Sequence, residues 1–176
     1  NDVDRVHDIA DGYAAVPETF NGFDDEDGCP DTVPQDLDDA LGTIEGLIYP
    51  EGGVDVADAA GKALDKAAEL LTKYRRVRVL IIGHTDDREV TLPPIDPADL
   101  DPPDEEARAA QLAEALVALS VTRTEGVRDA LIARGITRGR IVVIGKGAED
   151  PVSDNDTPRG RRSNRRVETK LYVPER

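Results

Sequence analysis

Residues 77–86, VRVLIIGHTD, decide the fold class. The first seven form a nearly continuous apolar run, which is typical of a strand buried on both faces beneath covering helices. Apolar residues at helical spacing precede the run in residues 54–74 and follow it in residues 104–134. In the second of these segments Asp104 is a good N-cap and Gly135 a good C-terminal stop. A buried strand between two helices indicates an α/β protein.

Further strands are predicted on either side of this unit. The apolar stretch 44–49 is a plausible first strand, and residues 140–145 repeat the pattern of a buried strand. Residues 165–173 alternate like a half-exposed strand, whereas residues 147–164 are typical of a loop. The order strand, helix, strand, helix, strand, strand predicts a two-layer α/β sandwich with helices packed on a small mixed sheet. Strands joined through a helix are expected to pair in parallel.

The charge distribution divides the chain into two regions. Residues 1–50 hold fourteen acidic residues and one basic residue, whereas residues 107–176 hold fourteen basic and nine acidic residues. We therefore predict an acidic linker at residues 1–38 and a folded domain at residues 39–176. A loop with five prolines is predicted as an insertion in that domain at about residues 87–104.

Composition excludes several classes of function. The net charge of −15 argues against a nucleic-acid partner, because phosphate contacts need a basic surface. No apolar run is long enough for a membrane-spanning helix. Cys29 is the single cysteine and cannot form a disulfide within the chain. The start at Asn1 suggests a processed or truncated end, so the absent signal peptide does not indicate a compartment.

Two charged residues are the candidates for a binding site. Arg123 falls near the middle of an apolar stripe on its predicted helix, where a guanidinium needs an anion or several acceptors. Asp86 follows the carboxyl end of the strand at residues 77–83, the edge where α/β sheets bind ligands. Together they could hold an amino-acid zwitterion, the acid taking an ammonium group and the arginine a carboxylate. The stripe consists of Leu112, Leu116, Leu119, Val127 and Ala130.

Other interpretations of these residues remain open. Asp86 and Arg123 could form a structural ion pair with each other, and a kinked helix would move Arg123 off the stripe. His84, Asp86 and Asp87 could be metal ligands, yet a further histidine near them is lacking. The sequence has no nucleophile elbow, no Walker loop and no Cys–His arrangement, so we do not expect an enzyme.

Three motifs then resemble one family in the correct order. Residues 83–86, GHTD, resemble the signature that follows the buried strand in the OmpA C-terminal family, which includes Pal and MotB. Residues 119–131 resemble its "LSxxRAxxVxxxL" helix, and residues 147–168 resemble its "G…P…N.T..GR..NRRVE" ending. The resemblance covers roughly residues 44–173.

This resemblance implies a non-catalytic peptidoglycan-binding module. It implies that Asp86 takes the amino group and Arg123 the carboxylate of the diaminopimelate in the stem peptide, with Thr85 and Arg165 at the same pocket. The protein would anchor a Gram-negative envelope protein to the cell wall from the periplasm, attached to the outer membrane. Its other expected partner is an outer-membrane or envelope protein region.

Departures from the family pattern keep an alternative open. Leu116 stands where the family usually has Asn, Thr124 stands in the place of Ala, and the segment after Asp86 is longer than usual. An OmpA-like fold that has lost peptidoglycan binding, and serves as an interaction scaffold in an envelope complex, is therefore the second interpretation.

The acidic N-terminal region has a resemblance of its own. Residues 2–13 are similar to the "DxDGIxDxxDxC" unit of thrombospondin type-3 repeats, with Arg5 and Tyr13 as departures, and residues 17–31 continue that style. Such repeats bind calcium, which prefers carboxylate oxygens. The resemblance implies a possible calcium site in residues 1–31, and the alternative is a solvated acidic linker. The candidate ligands are Asp2, Asp4, Asp8 and Asp11.

Overall fold

The computed structural model describes residues 32–99 and 101–173, and these form a two-layer α/β sandwich. The helices are α1 Gln35–Asp38, α2 Gly61–Lys73, α3 Glu105–Ala133 and α4 Pro158–Asn164, and the strands are β1 Gly42–Thr43, β2 Val79–Gly83, β3 Ile141–Gly145 and β4 Val167–Leu171. The four strands form one sheet in the order β1-β4-β2-β3, and α3 packs against β2 and β3. The predicted fold class is confirmed.

The sheet is mixed because β4 inserts into its centre. β2 and β3 pair in parallel through α3, as predicted for that unit. β1 and β2 are not neighbours, since β4 lies between them and pairs antiparallel with both. Parallel pairing across the first strand–helix–strand unit was therefore a wrong prediction. β3 lies at the edge of the sheet and leaves Ile144 exposed, so it is less buried than its sequence indicates.

The first strand is shorter than predicted and lies earlier in the chain. Main-chain pairing continues from β1 by one bond, in which the Ile44 N–H donates to the Val167 carbonyl (3.1 Å). Gly46 then adopts a φ of 78°, and a Cβ atom there would collide with the carbonyl of Ala59. This left-handed residue ends the extended conformation. Ile44, Leu47 and Tyr49 instead pack in the core from a loop, with Tyr49 completely buried and Ile48 exposed.

Two helices also differ from the predictions, one by its presence and one by its first residue. α4 occupies part of the segment predicted as a loop; it is capped by the Thr157 hydroxyl, which accepts from the Gly160 N–H, and it has Pro158 in its first turn. Helix α2 begins at Gly61 after a single 3-10 turn at Asp58–Ala60, seven residues later than predicted. The boundaries of α3 agree with the sequence, and the Asp104 carboxylate accepts from the Ala107 N–H as its N-cap.

Two glycines set how closely α3 approaches the sheet. Gly83 and Gly145 are partners across the parallel strands β2 and β3. A Cβ atom on either would lie closer than 3.0 Å to atoms of Ser120, the carbonyl oxygen in one case and the hydroxyl in the other. The helix backbone therefore rests directly on the carboxyl ends of both strands. Arg123 lies three residues further along the same helix.

The core extends into the segment predicted as a linker. Leu37 of α1 is buried and belongs to the core cluster with residues of α2 and α3. Asp36 accepts hydrogen bonds from the Lys73 ammonium (2.6 Å) and the Tyr74 hydroxyl (2.7 Å), and both bonds lower the pKa of Asp36. In the described ranges, no helix has the length and apolar character needed to cross a membrane.

Candidate ligand-binding site

The two candidate residues come together where β2 ends. Arg123 projects from the core-facing side of an unbroken α3 and has no exposed surface, as its place on the apolar stripe predicts. Asp86 follows β2 by three residues and is 1% exposed. Two oppositely charged groups are thus buried at one edge of the sheet, where each needs a partner.

Glu89 provides the anion that Arg123 needs. Nη1 of Arg123 donates to Oε2 of Glu89 (2.8 Å) and Nη2 donates to Oε1 (2.5 Å), which is a bidentate pair. Nε donates to the Gly53 carbonyl (2.8 Å), and Nη1 also donates to the His84 carbonyl (3.2 Å). The Tyr49 ring lies against the guanidinium, 4.5 Å from ring centre to carbon. Burial raises the pKa of Tyr49 to about 12, so its hydroxyl is neutral.

Asp86 is paired with a different arginine. Its Oδ2 accepts from Nη1 of Arg165 (2.6 Å) and its Oδ1 accepts from the Arg88 N–H (2.8 Å). Arg165 also donates from Nε to the Tyr49 carbonyl (2.9 Å). The structure therefore brings Asp86, Arg123 and Arg165 to one place. Within the described residues the Asp86–Arg123 ion pair, the structural alternative, does not form, because each residue has another partner.

Glu89 connects the two halves of this site. Its side chain has no exposed surface. Besides Arg123, Oε1 accepts from the Gly52 N–H and Oε2 from the Asp86 N–H, both at 3.1 Å. Four donors thus occupy the four acceptor positions of the carboxylate. Sequence reasoning missed Glu89 because it lies in the proline-rich insertion, where no periodicity places a side chain; the signal was the need of a buried arginine for an acid.

Thr85 and His84 lie at the same strand end but differ in their surroundings. Thr85 is buried and its N–H donates to the Gly147 carbonyl (2.8 Å). His84 lines a separate depression of about 440 Å³ together with Arg166 and Glu168. Burial lowers the pKa of His84, and the Arg166 guanidinium acts in the same direction. The histidine is buried beside the pocket, and its carbonyl rather than its ring is hydrogen-bonded to Arg123.

The metal predictions have different outcomes. The three residues considered as metal ligands, His84, Asp86 and Asp87, do not form a metal-binding group. Across residues 32–99 and 101–173 no three His, Cys, Asp or Glu side chains are grouped to hold a metal ion. The calcium candidates lie outside the described residues and stay predictions; they are Asp2, Asp4, Asp8 and Asp11.

Solved structures share this fold. The peptidoglycan-associated lipoprotein of Burkholderia pseudomallei is similar with a TM-score of 0.57 and 23% identity, over 72% of this chain and 88% of the other. The C-terminal domain of MotB from Helicobacter pylori is similar with a TM-score of 0.55 and 19% identity, over 75% and 88% of the two chains. At these identities the comparison shows the fold alone.

Curated proteins are similar in sequence over most of the domain. The peptidoglycan-binding protein ArfA of Mycobacterium tuberculosis H37Rv is 29% identical over 138 residues, which are 76% of this chain and 35% of ArfA. The protein named "Probable lipoprotein YiaD" of Escherichia coli K12 is 30% identical over 125 residues, 71% of this chain and 47% of YiaD. The chain therefore spans between a third and a half of these relatives. The family model described as "OmpA family" matches residues 48–165, and the chain belongs to that family.

Proposed function

We propose that this chain is a non-catalytic module that binds peptidoglycan through the diaminopimelate of the stem peptide. In this proposal Asp86 takes the ammonium group and Arg123 the carboxylate, with Thr85 and Arg165 at the same pocket. One observation carries it: the buried guanidinium of Arg123 already holds a carboxylate in bidentate geometry, directly beside Asp86. The site thus has the shape and charge to hold an anion at that position.

The chemistry of the site favours binding over catalysis. Its charged side chains are two acids and two arginines, and all four are held by hydrogen bonds to one another or to the main chain. Arginine does not lose its proton in proteins, so it serves here as a fixed donor rather than as a base. Such an arrangement recognises a ligand by its charges and needs no bond to break.

The relatives support the proposed setting in the cell. ArfA is named as peptidoglycan-binding, and the B. pseudomallei structure is named as a peptidoglycan-associated lipoprotein. By analogy we propose a periplasmic location attached to the outer membrane. The second proposed partner is an outer-membrane or envelope protein region.

Sedimentation with purified sacculi tests the proposal. Asp86→Asn and Arg123→Lys each remove one contact to the zwitterion, and we expect at least tenfold less bound protein than for the parent. The matched controls are Asp87→Asn, at the exposed neighbour of Asp86, and Arg128→Lys, five residues from Arg123 on α3, where the arginine pairs with Glu125 and Asp129. Both should bind like the parent. Equal binding of all five folded proteins would show that this pocket does not hold the wall.

The scaffold alternative also has a specific observation in its favour. Glu89 fills the anion position of the pocket, and Leu116 is buried where the family pattern has Asn. If the module has lost its ligand, neither the parent nor the two pocket variants should sediment with the sacculi. Binding by the parent, lost in the variants, excludes this alternative.

Calcium binding by residues 1–31 is a separate proposal. It rests on the carboxylates of Asp2, Asp4, Asp8 and Asp11 and on the preference of calcium for such oxygens. Isothermal titration of the whole chain with calcium should show a saturable site. The same titration with Asp4→Asn and Asp8→Asn should not, whereas no heat from the parent favours the plain acidic linker.

A further inference from the structure

The position of Glu89 suggests a property of the pocket that the family resemblance does not include. We propose that Glu89 is a specificity-determining residue: an internal carboxylate that any ligand carboxylate must displace from Arg123. This inference rests on the proposed function, because it concerns the same pocket. It adds that the pocket rejects simple carboxylates and admits a ligand that brings an ammonium group together with its carboxylate.

The hydrogen bonds of Arg123 show why displacement is required. A guanidinium has five N–H donors. Three are directed at the carbonyls of Gly53, His84 and Pro50, the last at 3.5 Å, and the other two are directed at Glu89. No donor is left for a second anion. A ligand carboxylate can therefore bind Arg123 in bidentate fashion only where Glu89 now binds.

An exchange of carboxylates would conserve the contacts of the site. The four donors around Glu89 are two N–H groups of Arg123 and the N–H groups of Gly52 and Asp86. An incoming carboxylate meets the same four donors and restores the same charge. Glu89 belongs to a segment without regular secondary structure between β2 and α3, so the segment can move without breaking a helix or a strand.

The same exchange discriminates between ligands. A simple carboxylate gains no contact that Glu89 lacks, and it loses translational freedom on binding, whereas Glu89 is already attached to the chain. An amino-acid zwitterion adds an ammonium group. Asp86 lies next to the position that Glu89 would vacate, since its N–H donates to Glu89 Oε2. Each carboxylate oxygen of Asp86 accepts from one protein donor, so each has a second acceptor position for the ammonium group. Because of Glu89, a ligand must carry both a carboxylate and an ammonium group in order to bind.

An NMR titration of the whole chain tests this directly. The probes are acetate, glycine and meso-diaminopimelic acid, and the signal is the Nε–H resonance of Arg123. Glu89→Gln keeps the size of the side chain but loses its charge, so we expect acetate to bind at least tenfold more tightly than to the parent. Glu51→Gln is the matched control, since Glu51 is exposed in the neighbouring loop, and it should resemble the parent.

The outcomes are distinct for this inference and for the proposed function. Equal acetate affinity for folded Glu89→Gln and the parent overturns the inference. If that variant does not fold, Glu89→Asp keeps the charge but is one methylene shorter; it should bind acetate more tightly than the parent, and no gain overturns the inference. If neither the parent nor Glu89→Gln binds sacculi, the proposed wall-binding function is overturned. The acetate titration still decides the role of Glu89 in that case.

Discussion

The two ends of β2 each hold an arginine, but in different ways. At the amino end, Arg140 donates to three main-chain carbonyls, those of Leu71, Tyr74 and Val77, at 2.7–2.8 Å. Burial lowers the pKa of Arg140, and no carboxylate in the part of the chain that the structure describes pairs with it. At the carboxyl end, Arg123 also donates to carbonyls but has a bidentate acid in addition.

Under the proposed function, this difference separates a structural arginine, Arg140, from a ligand-binding arginine, Arg123. Arg140 closes the end of helix α2, since carbonyls at a helix C-terminus attract a cation. It shows that this protein can satisfy a guanidinium with neutral acceptors alone. Arg123 instead directs two parallel donors at a carboxylate, and under the proposed function a ligand carboxylate would use the same two donors.

Removing Arg123 should have the largest effect on stability. In Arg123→Met the Glu89 carboxylate stays buried without its cation, and we expect a loss of about 3–5 kcal/mol in the free energy of unfolding. Urea unfolding measures it. The double variant Arg123→Met with Glu89→Leu removes both charges and should be more stable than the single variant. A loss below about 1 kcal/mol in the single variant would show that the buried pair is not coupled.

Removing Arg140 should cost less and leave binding intact. Arg140→Met deletes three hydrogen bonds, to the carbonyls of Leu71, Tyr74 and Val77. We expect a loss of about 1.5–3 kcal/mol in the free energy of unfolding, measured by the same assay. Sacculus binding by the folded variant should equal that of the parent. A binding defect as large as that of Arg123→Lys would remove the distinction between the two ends of the strand.

The smallest effect is expected at the exposed contact of the insertion. Arg88 pairs with Asp156 at 3.0 Å, but both side chains are more than half exposed. Asp156→Asn should therefore change the free energy of unfolding by less than about 1 kcal/mol. It should also leave acetate binding unchanged, because Glu89 rather than Arg88 occupies the donors of Arg123. A gain in acetate affinity would mean that the surface pair holds the segment shut.

The periodicity of apolar residues predicted the main elements of the fold and one residue of the site, Arg123. The apolar run before Gly83 and the long stripe around Arg123 gave β2, α3 and the buried guanidinium, because burial imposes a repeating pattern on regular elements. The same rule failed at residues 44–49, where Ile44, Leu47 and Tyr49 are buried but Gly46 bends the chain. It also failed at α4, which is too short to show a period, although Thr157 and Pro158 are recognisable start signals.

The partners of the charged residues were not predictable in the same way. Arg165 was identified only through the family motif, and its contact with Asp86 depends on β4 lying beside β2 rather than at the sheet edge. Glu89 was not identified at all. A loop residue is placed by the contacts that it makes, and those are known only once the fold is known.

The contact of α3 with two glycines also determines the position of Arg123. Because Gly83 and Gly145 are neighbours across the parallel strands, an alanine at either position would lift the helix and withdraw the guanidinium from the rim. Glycine at both places therefore fixes how far the Arg123 guanidinium extends toward the end of the strands. Any redesign of the pocket should keep this pair of glycines.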